Sequence, residues 1–268
     1  MSTFRTFHYG RMSGLEVTCL KSFLDHGHEL TVFTYDSNTV APLFRTADAS
    51  KIVRPEQIFF YASNPGKGSI SGFTNLFRYK LLHEFGDFWI DTDVLCLTDS
   101  WPEERDFVAG WESDKWVGAA VLQLPPWFAR ESLARCEELG DKVTWGQTGP
   151  RLVTEIVIRE QLQKRLFRKE GFYPVWHQNW LEFFDEESAD ATVEMCSTSY
   201  SAHLWGQMIT QNGLDKGLLP PAGSFFGAAV RKHGTQAYFT PGTAEVYKDR
   251  VLRRAIAFEV RQTGRGDF

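Results

Sequence analysis

Asp91 and Asp93 stand one residue apart in a run that is otherwise apolar and aromatic, Asp87 to Leu97 (DFWIDTDVLCL). Read as one extended strand, that run turns both carboxylates to the same face, because strand side chains alternate. Acids in such surroundings are costly to bury unless they hold a cation or accept hydrogen bonds. Hard divalent cations such as Mg2+ and Mn2+ take oxygen ligands and commonly bridge one or two carboxylates to substrate phosphates. The bland alternative is that one acid caps a turn and the other is solvated, since D-x-D is a common tripeptide. His203, in Ser-Ala-His-Leu-Trp205, is a second candidate. A lone histidine is more often a hydrogen-bonded core residue, but a neutral imidazole is a competent Mn2+ ligand. Arg78 precedes the acids, and a guanidinium suits a sugar hydroxyl or a phosphate oxygen.

The elements that must position these residues read as an α/β protein. Phe4 to Gly10 (FRTFHYG) is a first strand and turn. Ser13 and Glu16 match a capping box, and the helix they open carries Leu15, Cys19 and Phe23 on one stripe until Gly27 stops it. His28 to Tyr35 is a second strand. A strand–helix–strand opening is the crossover unit of a parallel sheet, which binds its ligands beyond the C-terminal strand ends. Residues 61–72 form a loop rich in Gly, Ser, Asn and Pro, but the phosphate-loop spacing is absent. Phe73, Leu76, Phe77, Leu81 and Phe85 recur at helical spacing up to Gly86, with Asn75 and Arg78 one turn apart on the other side. Further strands are predicted over Trp116 to Leu124, Phe172 to Val175 and Tyr200 to Trp205. Helices are predicted over Pro125 to Leu139, Pro150 to Leu166 and Val251 to Val260, with a loop over Thr144 to Pro150. The aromatic stretch Phe172 to Phe184 reads as core packing first and as a sugar-stacking surface second.

Composition narrows the classes. The chain has 268 residues, ample for a core without disulfide staples, and a formal charge of −5, which argues against a dedicated nucleic-acid binder. Its 22 Phe, 9 Trp and 8 Tyr are more rings than a core requires, and such rings also line pockets for sugar-like or planar ligands. The four cysteines lie far apart and read as buried thiols of a reducing compartment. No apolar run approaches the roughly 18 residues of a membrane span, and the N-terminus has no signal-peptide core. The remaining histidines make no H-E-x-x-H pair and no G-x-S-x-G elbow is present, which disfavours zinc and α/β hydrolases. The expectation is a soluble intracellular protein.

Thr74 to Val94, with its helix-borne arginine, the Gly before the strand and the aromatic approach to the two acids, resembles the DXD region of family 32-type glycosyltransferases. Those are related to the capsular-polysaccharide transferases and the glucosylating clostridial toxins. Phe7 to Tyr35, the Thr148-Gly-Pro150 turn and His203-Leu-Trp205 fit the same pattern, so the resemblance spans roughly residues 4–226. It implies a GT-A-type, Rossmann-like, mixed and mostly parallel sheet flanked by helices in a single domain. Residues of about 1–125 would bind the nucleotide sugar, and those of about 126–268 would supply the acceptor side. It also implies Mn2+ or Mg2+, a nucleotide-diphosphate sugar donor (UDP-linked), a saccharide or lipid-linked saccharide acceptor, and hexosyl transfer with retention.

Carried over residue by residue, Asp93 would ligate the metal, and Asp91 the metal or the ribose. His203 would add a late ligand, and Trp205 would flank the diphosphate. Arg78 would hold the donor sugar or its phosphates. Phe7, Tyr9 and Gly10 would lie under the nucleotide base, where an aromatic can stack. Two positions depart from the pattern. The acid usual one turn before the arginine is Asn75, and the second glycine before the strand is Asp87. Gln147 and Glu112 are further candidates to approach the donor sugar, against ordinary loop hydrogen bonding. The competing classes are a phosphohydrolase of the haloacid-dehalogenase kind and a non-catalytic nucleotide- or carbohydrate-binding protein on a decayed transferase scaffold. A cytoplasmic location follows as an expectation, peripheral at the inner membrane face where the acceptor is lipid-linked.

Overall fold

The computed structural model describes residues 1–63, 66–102, 106–240, 246, 247 and 249. The chain opens as its patterning predicts: β1 (Thr3–Phe7), α1 (Gly14–Asp25) and β2 (Glu29–Thr34), with β1 and β2 parallel. The Ser13 N–H donates to Glu16 Oε2 at 2.7 Å, the Glu16 half of the capping box. α1 buries Leu15, Cys19, Leu20 and Phe23. β3 (Arg45–Asp48) runs parallel to β2 on the far side from β1.

α2 (Ser71–Phe85) buries Phe73, Leu76, Phe77 and Leu81 together with Asn75 and Arg78. It ends at Gly86, whose φ of +70° closes the helix in a conformation that costs a β-carbon dearly. β4 (Phe88–Ile90) then pairs in parallel with β1. Asp87, where a second glycine was anticipated, has no positive φ, and its carboxylate accepts from Arg5 on β1 at 2.7 Å. An ion pair between neighbouring strands takes the place of a second flexible residue.

The run Asp87 to Leu97 is not one strand, and here the structure corrects the sequence reading. Asp91, Thr92 and Asp93 form a turn, with the Asp91 N–H on Ala120 O at 2.8 Å and the Val94 N–H returning to Asp91 O at 3.2 Å. The chain leaves the main sheet there. β5 (Val94–Cys96) belongs to a separate two-stranded sheet. Trp116 to Leu124 is likewise reduced to β6 (Val121–Leu122), antiparallel to β4, flanked by isolated bridges at Val117 and Gln123.

α3 (Pro126–Leu139) matches its prediction, packing against α2. α4 (Pro150–Arg159) begins at its proline but stops early, because Gln161 turns left-handed (φ 57°) and the Leu162 N–H closes back on Val157 O. Phe172 to Val175 is no strand. Phe172 and Tyr173 are core side chains beside Gly110 and Gly118, where a β-carbon would strike their rings. Most of the aromatic stretch to Phe184 is buried, as the core reading has it. α5 (Ala189–Cys196), β7 (Ser201–His203), α6 (Gly206–Gln211) and α7 (Phe225–Lys232) complete the described elements. The helix predicted over Val251 to Val260 lies outside the described residues.

The main sheet has the order β3-β2-β1-β4-β6, mixed and mostly parallel. Its strands send alternate residues to opposite faces. Phe7, Phe33 and Trp89 pack with α2, α3 and α4, while Phe4, Val32, Phe88 and Ile90 pack with α1. A third apolar cluster joins β5 and β7 to the later helices. All four cysteines are buried thiols. Among the described residues no helix is long and apolar enough to cross a membrane. Connections run outward from β1 in both directions, so a crevice opens beyond the C-terminal ends of β1 and β4, the usual ligand position in an open α/β sheet.

Candidate active site

A cavity of about 610 Å³ fills that crevice. Phe7, His8 and Tyr9 line it from the end of β1, Asn75 and Arg78 from α2, and Asp91 to Asp93 from the turn after β4. The far wall comes from the Glu112 segment, from Trp145 and Gly146, and from His203, Trp205, Gly206 and Lys216.

The antiparallel pairing of β5 with β7 sets His203 opposite Val94, directly beyond the second acid. His203 Nε2 lies 3.2 Å from Asp93 Oδ1, and the Gly206 N–H donates to Asp93 Oδ2 at 2.7 Å. Gly206 must remain small, because a β-carbon there would come within 2.9 Å of that oxygen. Burial opposes the charge on both groups, yet each favours the other's ionised form. Asp93 is held well below the usual carboxylate range, and His203 is raised above its ordinary value.

Asp91 is anchored from the opposite side. Arg78 Nη2 donates to its Oδ1 at 2.6 Å, and the Trp89 indole N–H donates to the same oxygen at 2.7 Å. Arg78 Nη1 reaches Asn75 Oδ1 at 2.6 Å, and Asn75 Nδ2 donates to Thr148 Oγ1 at 3.1 Å. The guanidinium is buried, with 4% of its side chain exposed, and lies over the Trp89 ring at 5.0 Å. Arg78 therefore first orients Asp91 rather than standing free.

Ligand atoms of Asp91, Asp93 and His203 all fall within 4.8 Å of one another. Two carboxylates and an imidazole form a donor set suited to Mn2+, and also to Mg2+, which accepts nitrogen less readily. His203 Nδ1 is buried with no partner, and an Asp93 fixed by a backbone amide is pre-oriented, so the residues fit such an ion.

The other candidate residues divide. Trp205 lines the cavity 4.2 Å, centre to centre, from the His203 ring, in left-handed backbone (φ 55°), with its indole N–H on Val175 O. Tyr9 is 45% exposed at the cavity edge and meets Phe60 edge-on. Phe7 touches the cavity but is a core ring stacked on Phe77 at 4.3 Å, and so is not free to cover a base. Gly10 (φ +80°) turns the chain outside the cavity lining. Gln147 is not among the lining residues either. Its amide oxygen closes its own loop by accepting from the Thr144 N–H and hydroxyl, and Trp145 of that loop faces the cavity instead.

Two contributors were missed. The half-buried Lys216 donates to the buried Glu16, and each of these groups favours the other's charge. This pair brings a cation close to Asp93. Nothing local around Lys216 signals it, because its partner is 200 residues away. The Trp89 indole on Asp91 was accessible from spacing, since residues two apart in a strand share a face.

The fold and the site define an open α/β crevice with two carboxylates and an imidazole on one wall, and the chain is similar in sequence to proteins of one enzyme class. The sequence model described as "Alpha 1,4-glycosyltransferase conserved region" matches residues 124–233. Lactosylceramide 4-alpha-galactosyltransferase of Rattus norvegicus is 28% identical over 149 residues, 48% of this chain and 39% of that protein. The Homo sapiens protein of the same name is 27% identical over 147 residues, 48% of this chain and 40% of that one. The matches thus span about two fifths of the length of these two relatives. Among solved structures, PaToxG Glycosyltransferase aligns over 87% of this chain and 85% of its own, with a TM-score of 0.43 and 10% identity. On sequence, this chain is a relative of glycosyltransferases, and its residues 124–233 are similar to their alpha 1,4 conserved region.

Proposed function

We propose that this chain transfers a hexose from a UDP-linked sugar to a saccharide or glycolipid acceptor, with retention at the sugar carbon. The observation that carries the reading is the convergence of Asp91, Asp93 and His203 on one wall of the crevice beyond β1 and β4. Mn2+ or Mg2+ held by these three would supply electrostatic stabilisation for charge on a departing diphosphate. The chain's own groups extend the same task. Lys216 adds a fixed cation beside Asp93, and the Gly206 amide and Arg78 keep the two acids from rotating. Trp205 offers a flat flank to the phosphates, and Tyr9 the exposed ring for a base.

The names of the relatives favour an α-linked galactose and a glycolipid acceptor for this chain too. An α product from an α-linked donor is transfer with retention. In that reading the leaving phosphate stays on the face the acceptor attacks. A lipid-linked acceptor would bring the protein to a membrane surface as a peripheral visitor, with the cytoplasmic location still the expectation. The donor part would lie about residues 1–125, completed by His203, Trp205 and Lys216 from the acceptor part.

Four rings run outward from the acids: His203, Trp205, His177 and Trp176, with centres 4.2, 5.7 and 5.0 Å apart. Trp176 ends the series at the surface, 45% exposed. Such a path suits the apolar face of an acceptor sugar. Trp176→Ala is expected to raise the acceptor KM about three- to tenfold, the worth of one aromatic contact, with UDP affinity unchanged. Initial rates with a lactoside acceptor would measure this.

The reading itself is tested by calorimetric titration of UDP with and without Mn2+, followed by UDP-galactose with a lactoside and mass analysis of the product. Metal-dependent UDP binding and a hexose-extended product are expected. A folded protein that binds no UDP in the presence of metal would overturn it.

A further inference from the structure

Among the described residues, four carboxyls line the cavity: Glu16, Asp91, Asp93 and Glu112. Three are committed. Glu16 accepts from Lys216 and the Ser13 N–H, Asp91 from Arg78 and Trp89, and Asp93 from Gly206 beside His203. The carboxyl of Glu112 has no hydrogen bond or ion pair among the described residues, although it stands near enough to Asp91 and His203 to feel both. Burial pushes its pKa up to about 7, the mark of a carboxyl placed in a wall without protein donors. Its backbone is rigidly held. The Glu112 N–H is bonded to Trp116 O at 2.9 Å, and the adjoining Trp111 and Gly118 amides are bonded to Phe167 O and Gly110 O.

Asn75, one turn before Arg78, carries no charge, and both ends of its amide are tied into the wall by Arg78 and Thr148. Sugar hydroxyls are donors, and charge-assisted bonds to a carboxylate are the strong ones available to them. A built wall with one acid lacking donors matches a ligand that brings them.

We infer that Glu112 is the residue that accepts hydroxyl hydrogen bonds from the donor's sugar ring. The inference rests on the glycosyl-transfer reading above. Glu112 acts on the sugar, not on the nucleotide, and this separates the two tests.

UDP, UDP-galactose and UDP-glucose would be titrated in Mn2+ against the wild type, Glu112→Gln and Glu112→Leu. Thermal midpoints would serve as the control for folding. Because removing an unpaired, half-buried acid relieves desolvation, the midpoints at pH 8 should be unchanged or higher. The expected result is unchanged UDP affinity in both variants and UDP-hexose affinity about tenfold weaker in Glu112→Leu. The Gln variant should be intermediate, and the galactose-to-glucose preference should be reduced. Equal loss on UDP and on UDP-hexoses, or no loss in either folded variant, would overturn the role of Glu112 and leave the transferase reading standing. A wild type that binds no UDP species would overturn that reading first, and this inference with it.

Discussion

Asp93→Ala is expected to abolish metal-dependent UDP binding and to lower transfer by about a thousandfold, since metal stabilisation of a leaving group is worth several kcal/mol. The size of the effect follows from how Asp93 is held. It is the acid shared by His203 and the Gly206 amide, so its loss would remove one proposed ligand and unfix another. Asp93→Asn is the shape-preserving control and should bind metal nearly as poorly while keeping the Gly206 contact. Calorimetry with Mn2+ alone and single-turnover rates would measure both; turnover within tenfold of wild type would remove Asp93 from the metal site.

The same pair sets a pH signature for the metal-free protein. The depressed pKa of Asp93 contributes stability above its unfolded value near 3.8, lost as the pH falls through its folded value. The raised pKa of His203 contributes stability below its unfolded value near 6.5, lost as the pH rises through its folded value. The thermal midpoint gap between wild type and Asp93→Asn should therefore be widest between about pH 4 and 6.5, and narrower on either side. A gap that does not vary with pH would mean that the two groups are not coupled.

Arg78→Met should carry the largest penalty for the fold. The substitution leaves Asp91 with only the Trp89 indole and removes the donor from Asn75 Oδ1. Breaking a buried pair from one side costs about 3–5 kcal/mol, and because Asp91 keeps 27% exposure the expected loss is about 3 kcal/mol. Urea unfolding would measure it, together with Mn2+ affinity, which should fall because Asp91 can rotate. Arg78→Lys restores charge but not the two-pronged geometry, so it should recover part of the stability and little of the transfer. A wild-type urea midpoint in Arg78→Met would contradict the positioning role.

Much of this architecture was legible from local pattern. The strand–helix–strand opening, the helix carrying Asn75 and Arg78, its stop at Gly86 and the proline start at Pro150 all follow from apolar periodicity, caps and backbone freedom. The D-x-D itself was visible, but its conformation was not. An apolar run with two acids reads as one strand, whereas the chain turns at Asp91 and hands its next three residues to another sheet.

Residue type and near spacing thus fix the ingredients: two acids, a helix that carries an arginine just before them, and a parallel sheet with a crevice at its strand ends. Convergence is a matter of long-range contacts. His203 meets Asp93 through the pairing of β5 with β7, Gly206 closes on it across 113 residues, and Lys216 reaches Glu16 across 200. The same packing commits three of the four cavity acids and leaves Glu112 open. Such contacts depend on how buried surfaces fit across the whole chain, and no local spacing encodes them.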